Sequence, residues 1–239
     1  MRIGLLPSAG QATRMHGIPK FLLPASDDIR CLLDYHVRLM TGHVDQILIP
    51  TRPEWASLLE SFEFGDHVRI HMMETATMAE TVTRALDQVS FDTCVLGMPD
   101  TYFSGGNPYR DLLEVAQADV TLAVFSTREE QRGRMGSVLL EESDRITAHA
   151  DKDPDSDFGT HWGVIEFTSA VVKMLDPRAA TGGQLITEAL SQGLSVKGFP
   201  AGYPYFDCGT FEEYLQCLSG LNLPGAYRDL VETGAARAN

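Results

Sequence analysis

The chain has 239 residues, of which 44% are hydrophobic and 22% charged, values that are ordinary for a globular protein with a sizeable core. Asp and Glu number 33 against 19 Lys and Arg, and the formal net charge of −14 argues against a nucleic-acid-binding protein, which usually presents a basic face. An acidic balance does not exclude a nucleotide enzyme, because a few basic residues in a cleft are enough to bind phosphates.

The cysteines and the apolar segments indicate a cellular location. Cys31, Cys94, Cys208 and Cys217 form no CxxC pair and have no zinc-like spacing, so we expect them to be buried as small apolar residues. The first apolar run breaks at Pro7 and is too short for a signal segment. No apolar run reaches the roughly 18 residues that a membrane helix needs. We therefore expect a protein of the reducing cytoplasm with no membrane partner.

In the first hundred residues, strand-like runs alternate with segments of helical period. The strand-like runs are "RIGLL", "VDQILIPT", "HVRIHMM" and "DTCVLGMPD". The helical segments are "DDIRCLLDYHVRLM", "EWASLLESF" (led by Pro53) and "TMAETVTRALDQV". This alternation predicts a parallel sheet with helices on both faces, which binds ligands at the carboxyl ends of its strands.

After about residue 118 the pattern changes to closely spaced strands. These are "DVTLAVFST", "GSVLLEE", "RITAHADK" and "THWGVIEFT". Helices follow at "SAVVKML" and "GGQLITEALSQG", then a strand at "LSVKGFP" and a helix after "DCGT". We predict a single α/β domain over residues 1–239, with a doubly wound, mixed but mostly parallel sheet of Rossmann-like type. Residues 1–118 contain the regular alternation, and residues 119–239 form a β-rich half that completes the cleft.

The loop after the first predicted strand has the composition of a phosphate site. It lies in "LLPSAGQATRMHGIPKFLLPA", residues 5–25, where small residues would let backbone N–H groups approach an anion. Arg14 and Lys20 could contact phosphate oxygens. The loop lacks the Gly-Lys-Ser/Thr of a P-loop and the glycine spacing of a dinucleotide fingerprint. Taken alone, it fits an ordinary glycine-containing turn equally well.

Two aspartates follow other predicted strands. Asp100 in "LGMPDTYF" comes just past a buried strand, where a carboxylate suits Mg²⁺, which prefers one or two carboxylates together with phosphate oxygens and water. Capping of the next turn is the alternative. Asp207 in "GYPYFDCGTFEEYL" lies upstream of Thr210 and Glu213, which fit a capping box. That box does not explain Asp207.

Five stretches in this order resemble the motifs of one enzyme family, the sugar-1-phosphate nucleotidyltransferases or NDP-sugar pyrophosphorylases, such as glucose-1-phosphate thymidylyltransferase. The first is "GQATRM", a short spacer and "PKFLLP"; the others are "PDTYF", "RMGSVLLEESDRITAHADKDP", "HWGVIEFT" and "FDCGT". The resemblance extends from residue 1 to about residue 217. It implies a GT-A-like nucleotidyltransferase fold and a Mg²⁺-dependent transfer of NMP from an NTP to a sugar 1-phosphate. It also implies that residues 1–118 are the nucleotide-binding half and residues 119–239 the sugar-binding half.

The resemblance also implies a role for each matching residue. Arg14, Lys20 and Asp100 would be catalytic, with Arg14 at the triphosphate and Lys20 near the attacking and α-phosphates. Asp100 and Asp207 would hold Mg²⁺, Lys152 would bind the sugar phosphate, and Gly136 would let the sugar approach the backbone. The nucleotide would lie against the remaining loop residues, which are Ser8, Ala9, Gly10, Gln11, Ala12 and Thr13.

Several features leave the substrates open. Ala12 replaces a family glycine, Phe21 stands where thymidine and uridine enzymes have Gln, and the short spacer resembles that of terpenoid-pathway cytidylyltransferases and molybdopterin nucleotidyltransferases. Cytidine and guanosine therefore stay possible bases. The alternatives are a cytidylyltransferase acting on a non-sugar phosphate or phosphonate, and a catalytically silent nucleotide sensor. Homo-oligomers are common among such enzymes.

Aromatic residues near these motifs have two interpretations. His161 and Trp162 would line the sugar pocket or pack against the sheet. Tyr203, Tyr205 and Phe206 would stack on a sugar ring or pack in the core.

Overall fold

The structure is a computed structural model that describes residues 1–10, 18–26, 28–115, 118–179 and 181–220. Within these ranges the strands are Arg2–Leu5 (β1), Gln46–Thr51 (β2), Val68–Met72 (β3), Thr93–Gly97 (β4), Thr101–Phe103 (β5), Val120–Ser126 (β6), Gly136–Leu140 (β7), Ile146–Asp151 (β8), Thr160–Thr168 (β9), Val196–Pro200 (β10) and Tyr205–Asp207 (β11). The α-helices are Leu32–Met40 (α1), Pro53–Glu60 (α2), Met78–Leu86 (α3), Pro108–Asp111 (α4), Ser169–Val172 (α5), Gln184–Ser191 (α6) and Phe211–Gly220 (α7).

One mixed sheet runs through the molecule in the strand order β10-β6-β9-β4-β1-β2-β3. Strand β9 is antiparallel to both of its neighbours, β4 and β6, and the other strands of this path share one direction. The hairpin of β7 and β8 extends the sheet by pairing with β9. The predicted α/β fold with a mixed, mostly parallel sheet is confirmed, and a single sheet contains strands from both sequence halves.

Helices cover both faces of this sheet, as the alternating pattern predicts. On one face, α1 contributes Leu33 and Met40 to a core cluster that also contains Ile47 of β2. On the other face, α3 and α6 contribute to a second cluster that contains Ile3 and Leu5 of β1. Burial of apolar side chains from both faces accounts for the long apolar strands, because a strand covered twice does not alternate with polar residues. No helix in the described ranges combines the length and the apolar character that a membrane crossing requires.

Some elements differ from the predictions. Helix α1 begins at Leu32, so the predicted helical position of Ile29 is wrong: Ile29 exchanges backbone hydrogen bonds of 3.2 and 3.3 Å with Ser26 instead. Helix α5 has four residues rather than seven, because the chain continues into tighter turns before Pro177. The short elements β5, α4 and β11 are additional to those predicted.

Candidate active site

The described start of the opening loop, residues 6–10, and the first aspartate, Asp100, lie at the same edge of the sheet. Strands β1 and β4 are adjacent and parallel, with Leu5 opposite Leu96. The chain after β1 and residues 98–100 after β4 therefore leave the sheet side by side, as predicted for a ligand-binding edge. Of the predicted loop residues, Gln11, Ala12, Thr13 and Arg14 lie outside the described residues.

The first residues of this loop continue the strand pairing beyond β1. The Ser8 amide donates to the Pro50 carbonyl at 2.8 Å, and the Ser8 hydroxyl donates to the Leu6 carbonyl at 3.1 Å. Ser8 and Ala9 are both 2% exposed, whereas Gly10 is exposed. The Ser8 hydroxyl thus already has a backbone partner, and Gly10 is the position among these three that solvent reaches most.

A small second sheet brings the two predicted metal ligands together. Strand β5 pairs antiparallel with β11 so that Thr101 faces Asp207, and the Cys208 amide donates to the Asp100 carbonyl at 3.0 Å. Asp100 and Asp207 consequently line one cavity, although 107 positions separate them in sequence (207 − 100). Burial, and then the Asp100 carboxylate, raise the pKa of Asp207 to about 6, an effect that the Lys20 ammonium opposes.

Lys20 is the cation beside this acidic pair. Its Nζ atom donates to Asp100 Oδ2 at 3.1 Å, and its side chain is 16% exposed. Lys20 begins a short 3-10 helix, Lys20–Leu22, that Phe21 anchors with a side chain only 6% exposed. The Phe21 ring belongs to the core cluster that contains α1, which explains an apolar residue at this position.

The β7–β8 hairpin and the residue that follows it also line the cavity. Gly136 faces Asp151 across the hairpin, and the Lys152 amide donates to the Met135 carbonyl at 3.0 Å. Lys152 has a φ of 54°, in the left-handed region that few non-glycine residues adopt. A Cβ atom at position 136 would lie 2.1 Å from Nε1 of Trp162, so only glycine lets the indole pack there.

The cavity has a volume of about 280 Å³. It brings together the predicted residues Lys20, Asp100, Gly136, Lys152 and Asp207. It is also lined by residues that were not predicted as site residues, among them Met78, Met98, Arg134, Asp151, Thr181 and Gly182. Arg134 lies shortly before Gly136 in the sequence, and Asp151 directly precedes Lys152. This closeness to predicted site residues was the signal that could have identified them. Thr181 donates its hydroxyl to Asp151 at 2.9 Å, a contact between distant segments that no local pattern reveals.

The Glu213 carboxylate, which is hydrogen-bonded to the Asp207 amide, also accepts hydrogen bonds from several side chains. It accepts from Arg128 at 2.7 Å, from Gln131 at 2.8 Å and from Arg134 at 3.4 Å, and its side chain is 3% exposed. The Asp207 amide also donates to it, at 3.1 Å. One of the two hydrogen bonds of the predicted capping box is present: the Glu213 amide donates to the Thr210 hydroxyl at 3.3 Å. The Glu213 carboxylate, which would make the second, is instead bonded to Arg128, Gln131 and Arg134.

The aromatic residues divide between cavity and core. Trp162 and Tyr205 line the cavity. His161 is fully buried against the sheet with Nδ1 3.0 Å from the Thr127 hydroxyl, and burial lowers its pKa to about 4. Tyr203 donates its hydroxyl to Asp111 at 2.9 Å. Phe206 lies under the Arg128 guanidinium at 5.2 Å, so it takes part in packing.

The donor set in the cavity fits Mg²⁺ bound together with a phosphate substrate. No cluster of three His, Cys, Asp or Glu side chains suited to a metal occurs in the described ranges. Asp100 and Asp207 supply two carboxylates, and Mg²⁺ commonly takes one or two carboxylates while phosphate oxygens and water complete its octahedron. A divalent cation would also offset the mutual repulsion that contributes to the raised pKa of Asp207.

The family model described as MobA-like NTP transferase domain matches residues 4–216 of the chain. Among curated proteins, no sequence matches the chain.

Solved structures share the fold. A Bacillus anthracis structure described as a putative glucose-1-phosphate thymidylyltransferase is 20% identical, with a TM-score of 0.77 over 92% of this chain and 94% of that one. A UTP-bound UGPase from Acinetobacter baumannii is 18% identical, with a TM-score of 0.71 over 91% and 92%. An inositol-1-phosphate CTP transferase from T. maritima is 17% identical, with a TM-score of 0.71 over 97% and 95%. At these identities the likeness is one of fold.

Proposed function

The chain belongs to the MobA-like NTP transferase family, and from that premise we propose that it transfers NMP from an NTP to a sugar 1-phosphate. The products are an NDP-sugar and pyrophosphate, and the reaction depends on Mg²⁺. One observation carries the proposal: Lys20, Asp100 and Asp207 meet in a single cavity. Gly136 and Lys152 line the same cavity, and an acceptor phosphate would lie beside them.

The reaction needs no nucleophile from the protein. An oxygen of the acceptor phosphate forms a bond to the α-phosphorus of the NTP, and the bond between that phosphorus and the bridging oxygen breaks to release pyrophosphate. Such transfers depend on positioning and on neutralising phosphate charge. A cavity lined by both lysine ammonium groups and carboxylates, among them Lys20, Lys152, Asp100 and Asp207, meets this requirement.

Each residue has a defined task in this proposal. Asp100 and Asp207 hold Mg²⁺, which when bound neutralises charge on the phosphate oxygens. Lys20, held by its ion pair with Asp100, contacts the α-phosphate and the attacking phosphate. Lys152 binds the acceptor phosphate, and the absence of a side chain at Gly136 lets the acceptor ring approach the backbone.

The opening loop is proposed to bind the nucleotide, on the strength of the motif resemblance. Arg14 would stabilise the triphosphate and the departing pyrophosphate. The remaining residues of the nucleotide site would be Ser8, Ala9, Gly10, Gln11, Ala12 and Thr13. In this division, residues 1–118 bind the nucleotide and residues 119–239 bind the acceptor. Cys31, Cys94, Cys208 and Cys217 are free and buried, which supports the proposal that the protein acts in a reducing cytoplasm.

A polyol phosphate is the second candidate acceptor. The short spacer of the opening loop, which resembles that of cytidylyltransferases, supports this alternative, and an inositol-1-phosphate CTP transferase has the same fold over 97% of this chain. The chemistry at phosphorus is the same for both acceptors, so the cavity residues keep their tasks. A sensor that binds nucleotide without turnover is the remaining alternative.

Pyrophosphate release tests the proposal. The protein is incubated with Mg²⁺, each of ATP, GTP, CTP, UTP and dTTP, and a panel of sugar 1-phosphates and inositol 1-phosphate, and phosphate is measured after pyrophosphatase treatment. We expect release with a sugar 1-phosphate and its loss in Asp100→Asn and Asp207→Asn. The exposed-site variant Asp66→Asn serves as the matched control. Release only with inositol 1-phosphate would favour the second candidate, and no release with any pair would contradict both.

A further inference from the structure

Strand β5, which follows Asp100, is held on both of its edges. One edge pairs with β11. On the other edge, two side chains of helix α1 take the place of a neighbouring strand. The Tyr35 hydroxyl donates to the Phe103 carbonyl at 2.7 Å and accepts from the Phe103 amide at 3.2 Å. His36 Nε2 lies 2.8 Å from the Thr101 carbonyl oxygen. Thr101, the residue directly after Asp100, is therefore hydrogen-bonded through its backbone carbonyl to the buried side chain of His36.

The hydrogen-bond partners of His36 determine which ring nitrogen carries the proton. A carbonyl oxygen can only accept, so Nε2 donates to Thr101. Nδ1 lies 2.6 Å from the Tyr109 hydroxyl, and in the neutral ring it accepts from that hydroxyl. Both side chains are fully buried. Tyr109, His36 and the Thr101 carbonyl therefore form one directed chain of hydrogen bonds.

This series of hydrogen bonds also contacts the start of the turn that contains Asp100, residues 98–100, through the Tyr109 hydroxyl. A Cβ atom at Gly97, the last residue of β4, would lie 2.0 Å from the Tyr109 hydroxyl oxygen. Gly97 and Thr101 flank residues 98–100, so the Tyr109–His36 pair packs against the turn at one end and bonds to it at the other. Within the turn, the Thr101 hydroxyl donates to the Met98 carbonyl at 2.8 Å.

We propose that His36, supported by Tyr109, is a positioning residue that fixes the backbone on both sides of Asp100 and so directs its carboxylate toward the metal and the phosphates. Neither side chain is among those that line the cavity, so the effect passes through the backbone. This inference rests on the proposed metal role of Asp100. Partners that orient metal ligands from behind commonly change metal affinity or activity by roughly 10- to 100-fold when they are removed.

The test compares two buried tyrosine hydroxyls, one that acts on strand β5 through His36 and one that bonds to the strand directly. Tyr109→Phe removes only the donor to His36, and Tyr35→Phe removes a buried hydroxyl bonded to Phe103. Binding of Mn²⁺ alone is measured by electron paramagnetic resonance, and the free energy of unfolding is measured for each variant. We expect Tyr109→Phe to weaken Mn²⁺ binding on the order of tenfold. Tyr35→Phe should lower stability with little change in Mn²⁺ binding.

Two further variants separate positioning from simple loss of stability. In the Asp100→Asn background, Tyr109→Phe should have no additional effect on Mn²⁺ binding, because the interaction acts through Asp100. His36→Gln, whose amide N–H can still donate to Thr101, should bind Mn²⁺ more tightly than His36→Ala; if His36→Ala fails to fold, the two tyrosine variants decide the matter. Equal effects of Tyr109→Phe and Tyr35→Phe, or no effect of Tyr109→Phe, would overturn the inference.

The result is independent of whether nucleotide transfer occurs. If the protein releases no pyrophosphate but binds Mn²⁺ in an Asp100-dependent manner, the Mn²⁺ measurements still decide the role of His36. If transfer occurs, Tyr109→Phe should lower kcat and raise the Mg²⁺ concentration for half-maximal rate while the KM for the acceptor stays unchanged. A change confined to the acceptor KM would contradict a role that acts through Asp100.

Discussion

Asp207, Asp100 and Lys20 line the same cavity, and burial together with the Asp100 carboxylate determines how Asp207 responds to pH. Lys20 forms an ion pair with Asp100 at 3.1 Å, whereas Asp207 is half-buried and feels the charge of the Asp100 carboxylate. The raised pKa of Asp207 therefore reflects burial first and the Asp100 carboxylate second, and a bound cation would offset the second effect. This arrangement suits a site that binds a metal and phosphates together. The metal cation would neutralise the two carboxylates, and the phosphates would neutralise the metal and the Lys20 ammonium.

The pKa of Asp207 predicts how stability depends on pH in the metal-free protein. Because its pKa is about 6 in the folded state and about 3.9 in an unfolded chain, the folded state binds more protons between these values. The contribution of Asp207 to the free energy of unfolding therefore falls as pH rises from about 4 to about 6 and stays low above that range. In EDTA at pH 7.5, Asp207→Asn should be more stable than wild type by roughly 1–3 kcal/mol.

Urea unfolding at pH 4 and pH 7.5 measures this difference. At pH 4 the two proteins should differ little, because Asp207 is then protonated in the folded state. The Gly209 amide donates to Asp207 Oδ1 at 3.0 Å, and the side-chain carbonyl oxygen introduced by Asp207→Asn can still accept that hydrogen bond. The exposed variant Asp66→Asn should show no comparable difference. Equal stability of wild type and Asp207→Asn at both pH values would contradict the prediction.

The contact between Gly136 and Trp162 gives a second prediction for a single residue. Gly136→Ala would place a Cβ atom 2.1 Å from Nε1 of Trp162, so the indole must move. We expect a loss of about 1–3 kcal/mol in the free energy of unfolding, as for other overpacked sites. Gly159→Ala is the matched control, because a Cβ atom there meets nothing within 4 Å. In a Trp162→Leu background Gly136→Ala should cost much less, and an equal cost in both backgrounds would show that the indole is not the cause.

At the scale of elements, the site depends on short strands that local sequence patterns do not reveal. The long buried strands and amphipathic helices were predicted, because their periodicity extends over several residues. Strands β5 and β11 have three residues each, too few to show alternation. Their pairing links Thr101 to Asp207, so the proximity of the two aspartates follows from a distant tertiary contact. Motif order suggested that they belong to one site, but only the fold shows how they meet.

Helix α7 stabilises this arrangement through Glu213, which leads to a third prediction. Glu213→Gln removes the charge that Arg128 and Arg134 contact and leaves one acceptor oxygen for all the donors. Both arginine side chains are about a third exposed, which weakens each ion pair. We therefore expect a loss of about 2 kcal/mol in the free energy of unfolding. Glu212→Gln, an exposed change on the same helix, should cost little. Equal losses in both variants would argue against a special role for Glu213.

At the scale of the whole molecule, the walls of the cavity come from both halves of the chain. Lys20 and Asp100 come from the first half, and Gly136, Lys152 and Asp207 come from the second. The first half was predictable because its alternation of strand and helix is regular. The second half was predictable only as closely spaced strands, since the position of β9 between β4 and β6 depends on long-range pairing. A ligand that fills the cavity therefore contacts both halves of one continuous sheet.

This arrangement predicts that nucleotide and Mg²⁺ together stabilise the entire fold. A ligand at roughly 100 times its Kd adds about 2.7 kcal/mol to the free energy of unfolding, which for a domain of this size raises the Tm by roughly 5–10 °C. Each of the five NTPs is tested with Mg²⁺ by differential scanning calorimetry, and the base that gives the largest shift identifies the nucleotide. Asp100→Asn should lose most of the shift, whereas Asp66→Asn should keep it. A shift that is unaffected by Asp100→Asn would mean that the nucleotide binds without the metal site, and no shift with any NTP would contradict the nucleotide site itself.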